Sequence, residues 1–140
     1  MNKKLLHIFM AINSFLIHAS KGRIGSHLGT QTILIMHPIG RKTGKRYTIP
    51  IAYFKIGEAY YVIGSNWGQE QNASWYYNLK KDPEIKIEVD GKELSVLARE
   101  AVGDEYDRLW ENAVNHHAGY LHYKEMTSRH IPIMVFEPLK

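Results

Sequence analysis

The sequence predicts an α+β domain built on an antiparallel β-barrel or sheet with added helices. Three observations carry this. Short apolar runs are joined by hairpin-sized turns: Gly57-Glu58 lies between residues 47–54 and 59–64, and Asp90-Gly91 between residues 85–89 and 94–101. Segments of helical period are few and separate these hairpins, whereas a parallel βαβ fold would alternate single strands with helices. The chain has 140 residues, 44% hydrophobic and 23% charged. That is enough for one core and too little for two.

At the N-terminus, Leu5, Ile8, Phe9, Ile12, Phe15, Leu16 and Ala19 share one helical face. Residues 1–20 therefore read as an amphipathic helix and residues 21–140 as the barrel domain. Lys3 and Lys4 ahead of the apolar run look like the start of a signal peptide, but Asn13, Ser14 and two histidines interrupt it and no small-x-small cleavage site follows. The run is too short and polar to span a bilayer. Two placements stay open: packed on the domain, or lying on a membrane with Lys3, Lys4, Lys21 and Arg23 against anionic lipid.

Gly22, Gly25 and Gly29 form a connection to a buried strand at residues 32–36, and a turn follows at 38–45. Residues 47–54 read as a strand in which Pro50 implies an edge, a bulge or a ligand-facing break. Residues 59–64 return. Asn72 or Ser74 is placed to cap a short helix through Leu79, stopped by Asp82-Pro83. Residues 85–89 alternate with period two, as a half-buried strand does. From Asp104, Tyr106, Leu109, Trp110 and Ala113 recur at helical spacing. A second helical stretch at 120–127 precedes a last strand at 131–136.

With no cysteine the chain has no disulfide, thiolate metal site or thiol nucleophile, which fits a cytoplasmic location. The formal charge of +4 favours an anionic partner. The positive residues concentrate in Gly40-Arg41-Lys42-Thr43-Gly44-Lys45-Arg46. Glycines at the turn let backbone N–H groups face an anion, and the cations converge on one point, as in a phosphate cradle. A Walker loop is excluded by the glycine spacing and the strand context; a solvated basic hairpin is the competing reading. Ser65-Asn66-Trp67-Gly68 and then Trp75, Tyr76 and Asn78 suit the lining of a planar ligand, or a core. Four histidines between 116 and 130 lack metal-site spacing, so no metal is expected. Tyr120 and Tyr123, three apart, share a helix face and can donate to a carbonyl or nitro oxygen, or pack on the sheet. No serine-hydrolase elbow, dinucleotide fingerprint or nucleic-acid-binding pattern is present.

Taken in order, residues 40–45, Pro50, Ser65-x-x-Gly68, Trp75-Tyr76-Tyr77-Asn78-Leu79, Asp82-Pro83 and the closing 129–138 resemble the deazaflavin-dependent nitroreductase family. The likeness runs from about Ser20 to the C-terminus. It implies a split β-barrel like that of flavin-mononucleotide oxidoreductases and coenzyme F420 as cofactor, with FMN as the alternative. The implied reaction is hydride transfer to a quinone, an activated alkene such as an enone, or a nitroaromatic compound. By the same resemblance Arg41, Lys42, Thr43, Lys45 and Arg46 bind the phosphate and acidic tail. The backbone of Thr48, Ile49, Pro50 and Ile51 runs beside the deazaflavin. Ser65, Asn66, Trp75 and Asn78 complete the wall, and Tyr120 and Tyr123 face the substrate. Ala73 and His117 depart from the family, which has proline at the first position and an aromatic near the second. The N-terminal helix resembles the segment that associates some members with membranes and quinones. A non-enzymatic carrier of an apolar ligand is the remaining alternative, and oligomeric state is left open.

Overall fold

The computed structural model describes residues 27–28 and 31–139. The amphipathic helix expected at residues 1–20, with its membrane contact, lies outside the described residues. The strands are β1 (His27–Leu28), β2 (Gln31–His37), β3 (Ile49–Ala52), β4 (Phe54–Ile56), β5 (Ala59–Ile63), β6 (Glu84–Val89), β7 (Lys92–Glu100) and β8 (Ile133–Pro138). Helix α1 (Ser74–Lys81) joins β5 to β6 after a short 3-10 turn at Asn66–Gly68. Helices α2 (Gly103–His116) and α3 (Gly119–Met126) lie between β7 and β8.

Every described pairing is antiparallel, in the order β1-β2-β6-β7-β8-β5-β4, with β3 on the other side of β2. The expected strand at 47–54 is divided. At Tyr53 the chain leaves β2, where the Tyr53 N–H still donates to the Thr32 carbonyl (3.1 Å), and Phe54 already pairs with Tyr61 of β5. Since β3 and β4 are one continuous segment, the circuit closes there into a split antiparallel barrel. Pro50 sits opposite Ile35. Tyr53 bonds toward β2, and inward and outward N–H groups alternate along an antiparallel strand, so the position of Pro50 is one that asks for no N–H toward β2.

The two faces of the wall bury different clusters. Leu34, Met36, Val62, Ile85, Ile87, Val96, Met134 and Phe136 form one, and α1 adds Trp75 and Leu79 to it. The alternate residues Tyr61, Ile63, Ile133 and Val135 form a second with Leu109, Ala113, Tyr120 and Ile131. Burial on both faces explains why β8 reads as an unbroken apolar run. The hairpin expected at Asp90-Gly91 is present, with positive φ at both residues (51° and 78°), the backbone a two-residue type I′ connection needs.

Two local expectations are corrected. The N-cap of α1 is Ala73, with no side-chain cap, because the Asn72 side-chain oxygen accepts from Arg129 instead (2.9 Å) and Ser74 is already in the helix. The last strand begins at Ile133, two residues later than expected. The Ile131 carbonyl is taken by the Tyr106 hydroxyl (2.6 Å), and Pro132 has no N–H for the ladder.

Candidate functional site

The basic turn connects β2 to β3 and is closed by its own backbone: Gly40 N–H donates to the Lys45 carbonyl (2.7 Å) and Gly44 N–H to the Gly40 carbonyl (2.8 Å). A Cβ at Gly40 would stand 2.8 Å from both Thr43 Oγ1 and a Tyr47 ring carbon, so any other residue would have to displace those side chains. At its base lies His37, which is buried. Its Nε2 is 2.6 Å from Glu88 Oε2, and its Nδ1 meets the Tyr47 carbonyl (3.1 Å) and Thr48 Oγ1 (3.2 Å). His37 thereby ties the turn to β6. It was not read as a site residue from the sequence, where its only signal is a histidine ending an apolar strand.

Across from the turn stands α1. Buried Asn78 accepts two hydrogen bonds on Oδ1, from the Arg41 backbone N–H (3.0 Å) and from Arg41 Nη1 (2.9 Å). Arg41 Nη1 also reaches the Ser74 carbonyl (3.3 Å), its guanidinium lies 5.3 Å from the Tyr77 ring centre, and Lys81 Nζ donates to the Arg41 carbonyl (2.9 Å). The clasp leaves a cleft of about 320 Å³ bordered by Arg41, Lys42, Thr43, Ile49, Trp75 and Asn78, with Gly40, Tyr47 and Ser74. The first six of these are members of the group that the family resemblance assigns to the cofactor. Lys45 and Arg46 lie in the same turn, but Arg46 leans toward Glu93 of β7 (3.6 Å). Thr48 bonds His37, while Ile51 packs against the interior cluster.

A second cleft of about 520 Å³ shares Arg41 and Ser74 with the first and is completed by Glu70, Gln71, Asn72, Tyr77 and Arg129. Ser65 and Asn66 border neither cleft; the loop they begin does so further along. Arg129 fastens that loop, donating to the Ser65 carbonyl (2.8 Å), the Gln69 carbonyl (2.9 Å) and Asn72 Oδ1 (2.9 Å). Burial lowers the pKa of its guanidinium from the ordinary value. Arg129 was legible only as part of the closing motif, without a role. Of the two tyrosines, Tyr120 is buried with Phe54 and Trp110, whereas half-buried Tyr123 sets its ring against Trp67 (6.4 Å, 85°). The two rings are 6.3 Å apart. Among the described residues no group of three or more His, Asp or Glu side chains could hold a metal ion. No described helix is long and apolar enough to cross a membrane.

Residues 10–138 match the family model for F420H2-dependent quinone reductases. The chain belongs to that family. An F420H2-dependent quinone reductase of Mycobacterium tuberculosis is 32% identical over 130 residues, spanning 90% of this chain and 87% of its own. Among solved structures, an F420H2-dependent reductase, FDR-A, superposes with a TM-score of 0.69 at 30% identity, over 75% of this chain and 93% of that one. The heme storage protein HutZ of Vibrio cholerae, at 11% identity and a TM-score of 0.57 over 77% of this chain and 82% of its own, shares the fold alone. Membership in the F420H2-dependent quinone reductase family makes the chain an oxidoreductase with coenzyme F420 as its cofactor, acting on a small molecule.

The cleft fits such a group. Lys42 and Lys45 are exposed on the turn, and among the described residues neither makes an ion pair. A phosphate or carboxylate would therefore meet unpaired cations, while Ile49 and Trp75 offer apolar surface to a planar ring.

Proposed function

We propose that the chain binds reduced F420 with its phosphate and acidic tail on Arg41, Lys42, Thr43, Lys45 and Arg46, and reduces a quinone to a quinol. The observation that carries this reading is the Arg41–Asn78 clasp, which fixes a basic turn against α1 and leaves a cleft between them. In this reading Ile49, Trp75 and Asn78 wall the ring inside the cleft, and the site extends past the cleft to the backbone of Thr48, Pro50 and Ile51 and to Ser65 and Asn66. When bound, the reduced cofactor supplies the hydride.

The chain's own contribution is orientation, exclusion of water and hydrogen bonding. Prior hydrogen bonding holds Arg41 in place, so little ordering is needed when an anion arrives. Tyr123 is the tyrosine that reaches the 65–68 loop, and Tyr120 backs it from the core. In this reading the Tyr123 hydroxyl donates to the quinone oxygen on which charge grows, and one proton from solvent completes the quinol. The amphipathic pattern of residues 1–20 suits contact with a membrane that holds apolar quinones; co-flotation of the full chain, but not of a chain starting at residue 21, with anionic vesicles tests it.

The test of the site is a fluorescence titration with F420. Replacing Arg41 and Lys42 together with alanine should weaken binding by about one to two decades, the loss expected when a charged hydrogen bond worth about 1.5–3 kcal/mol is removed. Binding should also weaken with salt in the parent protein. An unchanged affinity in the double variant would remove the phosphate from this turn.

A further inference from the structure

Trp67 is held in a place where a tryptophan is costly. Its backbone lies in the left-handed region (φ 59°, ψ 26°), directly after Asn66 at φ 46°. A side chain with a Cβ disfavours that conformation, and two in succession persist only when the surroundings fix them. The surroundings do. Arg129 ties down the Ser65 and Gln69 carbonyls on either side, and Asn66 Nδ2 donates to the Gln71 carbonyl (2.7 Å). Gly68, at φ 76°, is pressed so closely on Met126 of α3 that a Cβ would come within 2.9 Å of its sulfur. This scaffold does not bury the indole. Trp67 is 44% exposed, with Tyr123 standing edge-on against it.

An indole left 44% exposed, with an edge-on contact to Tyr123, sits on a backbone that glycine would adopt at less cost. We infer that Trp67 is a specificity-determining residue, an aromatic platform on which the planar ring of the hydride acceptor stacks beside Tyr123. The inference rests on the reading that Ser65 and Asn66, which immediately precede it, wall the cofactor. It names the acceptor class more narrowly: flat, aromatic or quinonoid rings, with two fused rings favoured over one because they cover more of the indole.

The experiment uses the full chain and the variants Trp67→Gly and Trp67→Phe. Affinity for F420 is read by fluorescence titration, KM with menadione and with 1,4-benzoquinone, menadione binding without cofactor by equilibrium dialysis, and Tm. For Trp67→Gly, F420 affinity should stay within about 2-fold, and Tm should hold or rise because glycine accepts the left-handed backbone. The KM and the dissociation constant for menadione should rise roughly 2- to 10-fold, the range an aromatic contact supports. Benzoquinone should respond less, and Trp67→Phe should recover part of the loss. Unchanged menadione binding in Trp67→Gly overturns the platform. So does a fall in Tm with parallel losses for cofactor and acceptor, which would mark a structural role. Failure of the parent chain to bind F420 would overturn the proposed function instead, and the dialysis result would still decide the role of Trp67.

Discussion

Replacing Asn78 with aspartate separates the two jobs of this side chain. Asn78 is 4% exposed, and its Oδ1 accepts from the Arg41 N–H at 3.0 Å and from the guanidinium at 2.9 Å. A carboxylate of the same shape keeps the oxygen that accepts both bonds and strengthens the one to the guanidinium, so Asn78→Asp should melt within a few degrees of the parent. It also puts a negative charge on the wall of the cleft. At an effective dielectric near 20, a like charge about 8 Å from a phosphate costs about 2 kcal/mol, roughly thirty-fold in affinity. The gap from the parent should shrink in high salt. Asn78→Leu does the opposite, removing the acceptor without adding charge. It gives up about 1 kcal/mol for the backbone bond and about 1.5–3 for the charged one. For 140 residues, an unfolding entropy of about 2.1 cal/mol/K per residue turns about 2.5–4 kcal/mol into a Tm drop of roughly 9–14 °C. Calorimetry and an F420 titration on both variants check the pair. Tight F420 binding by Asn78→Asp would show that no anion sits in this cleft; an unchanged Tm in Asn78→Leu would show that the clasp holds nothing.

Three further outcomes are expected. Tyr61 is fully buried, and its hydroxyl donates to the Leu109 carbonyl (3.2 Å) and accepts from Asn112 Nδ2 (2.6 Å), so Tyr61→Phe should cost about 1–2 kcal/mol in a denaturant melt. Gly68→Ala combines a strained φ with a clash on Met126, and should cost about 1 kcal/mol or more. Adding Met126→Ala should recover only the packing part, and full recovery in the thermal melt would contradict the backbone strain. Glu105 is held below its ordinary value of 4.5 by two bonds from Arg99 (2.6 and 2.9 Å). A carboxyl lowered by folding contributes stability above its unfolded pKa and loses it as pH falls through the folded one. Glu105→Gln should therefore flatten the fall of Tm below about pH 4.5, and an unaltered pH profile would discount the pair.

The sequence by itself determined what is decided within a few residues. The period of residues 85–89, the Asp90-Gly91 turn and the helix beginning near Asp104 all rest on local sterics and on which residues share a face, and each is present in the fold. The basic turn was legible for the same reason, since its glycines and cations are neighbours in the chain. The tertiary structure decided where strands exchange partners and which distant groups meet. The strand pattern through residues 47–54 carries no mark at Tyr53, because leaving β2 for β5 depends on the register of strands elsewhere. Arg41 finds Asn78 across 37 residues, His37 finds Glu88 across 51, and Arg129 finds Ser65 across 64. Asn72 lost its expected role as a helix cap once Arg129 took its oxygen. Hydrogen-bonding groups take the partners that burial brings within reach, and barrel closure sets that reach over distances no local pattern records.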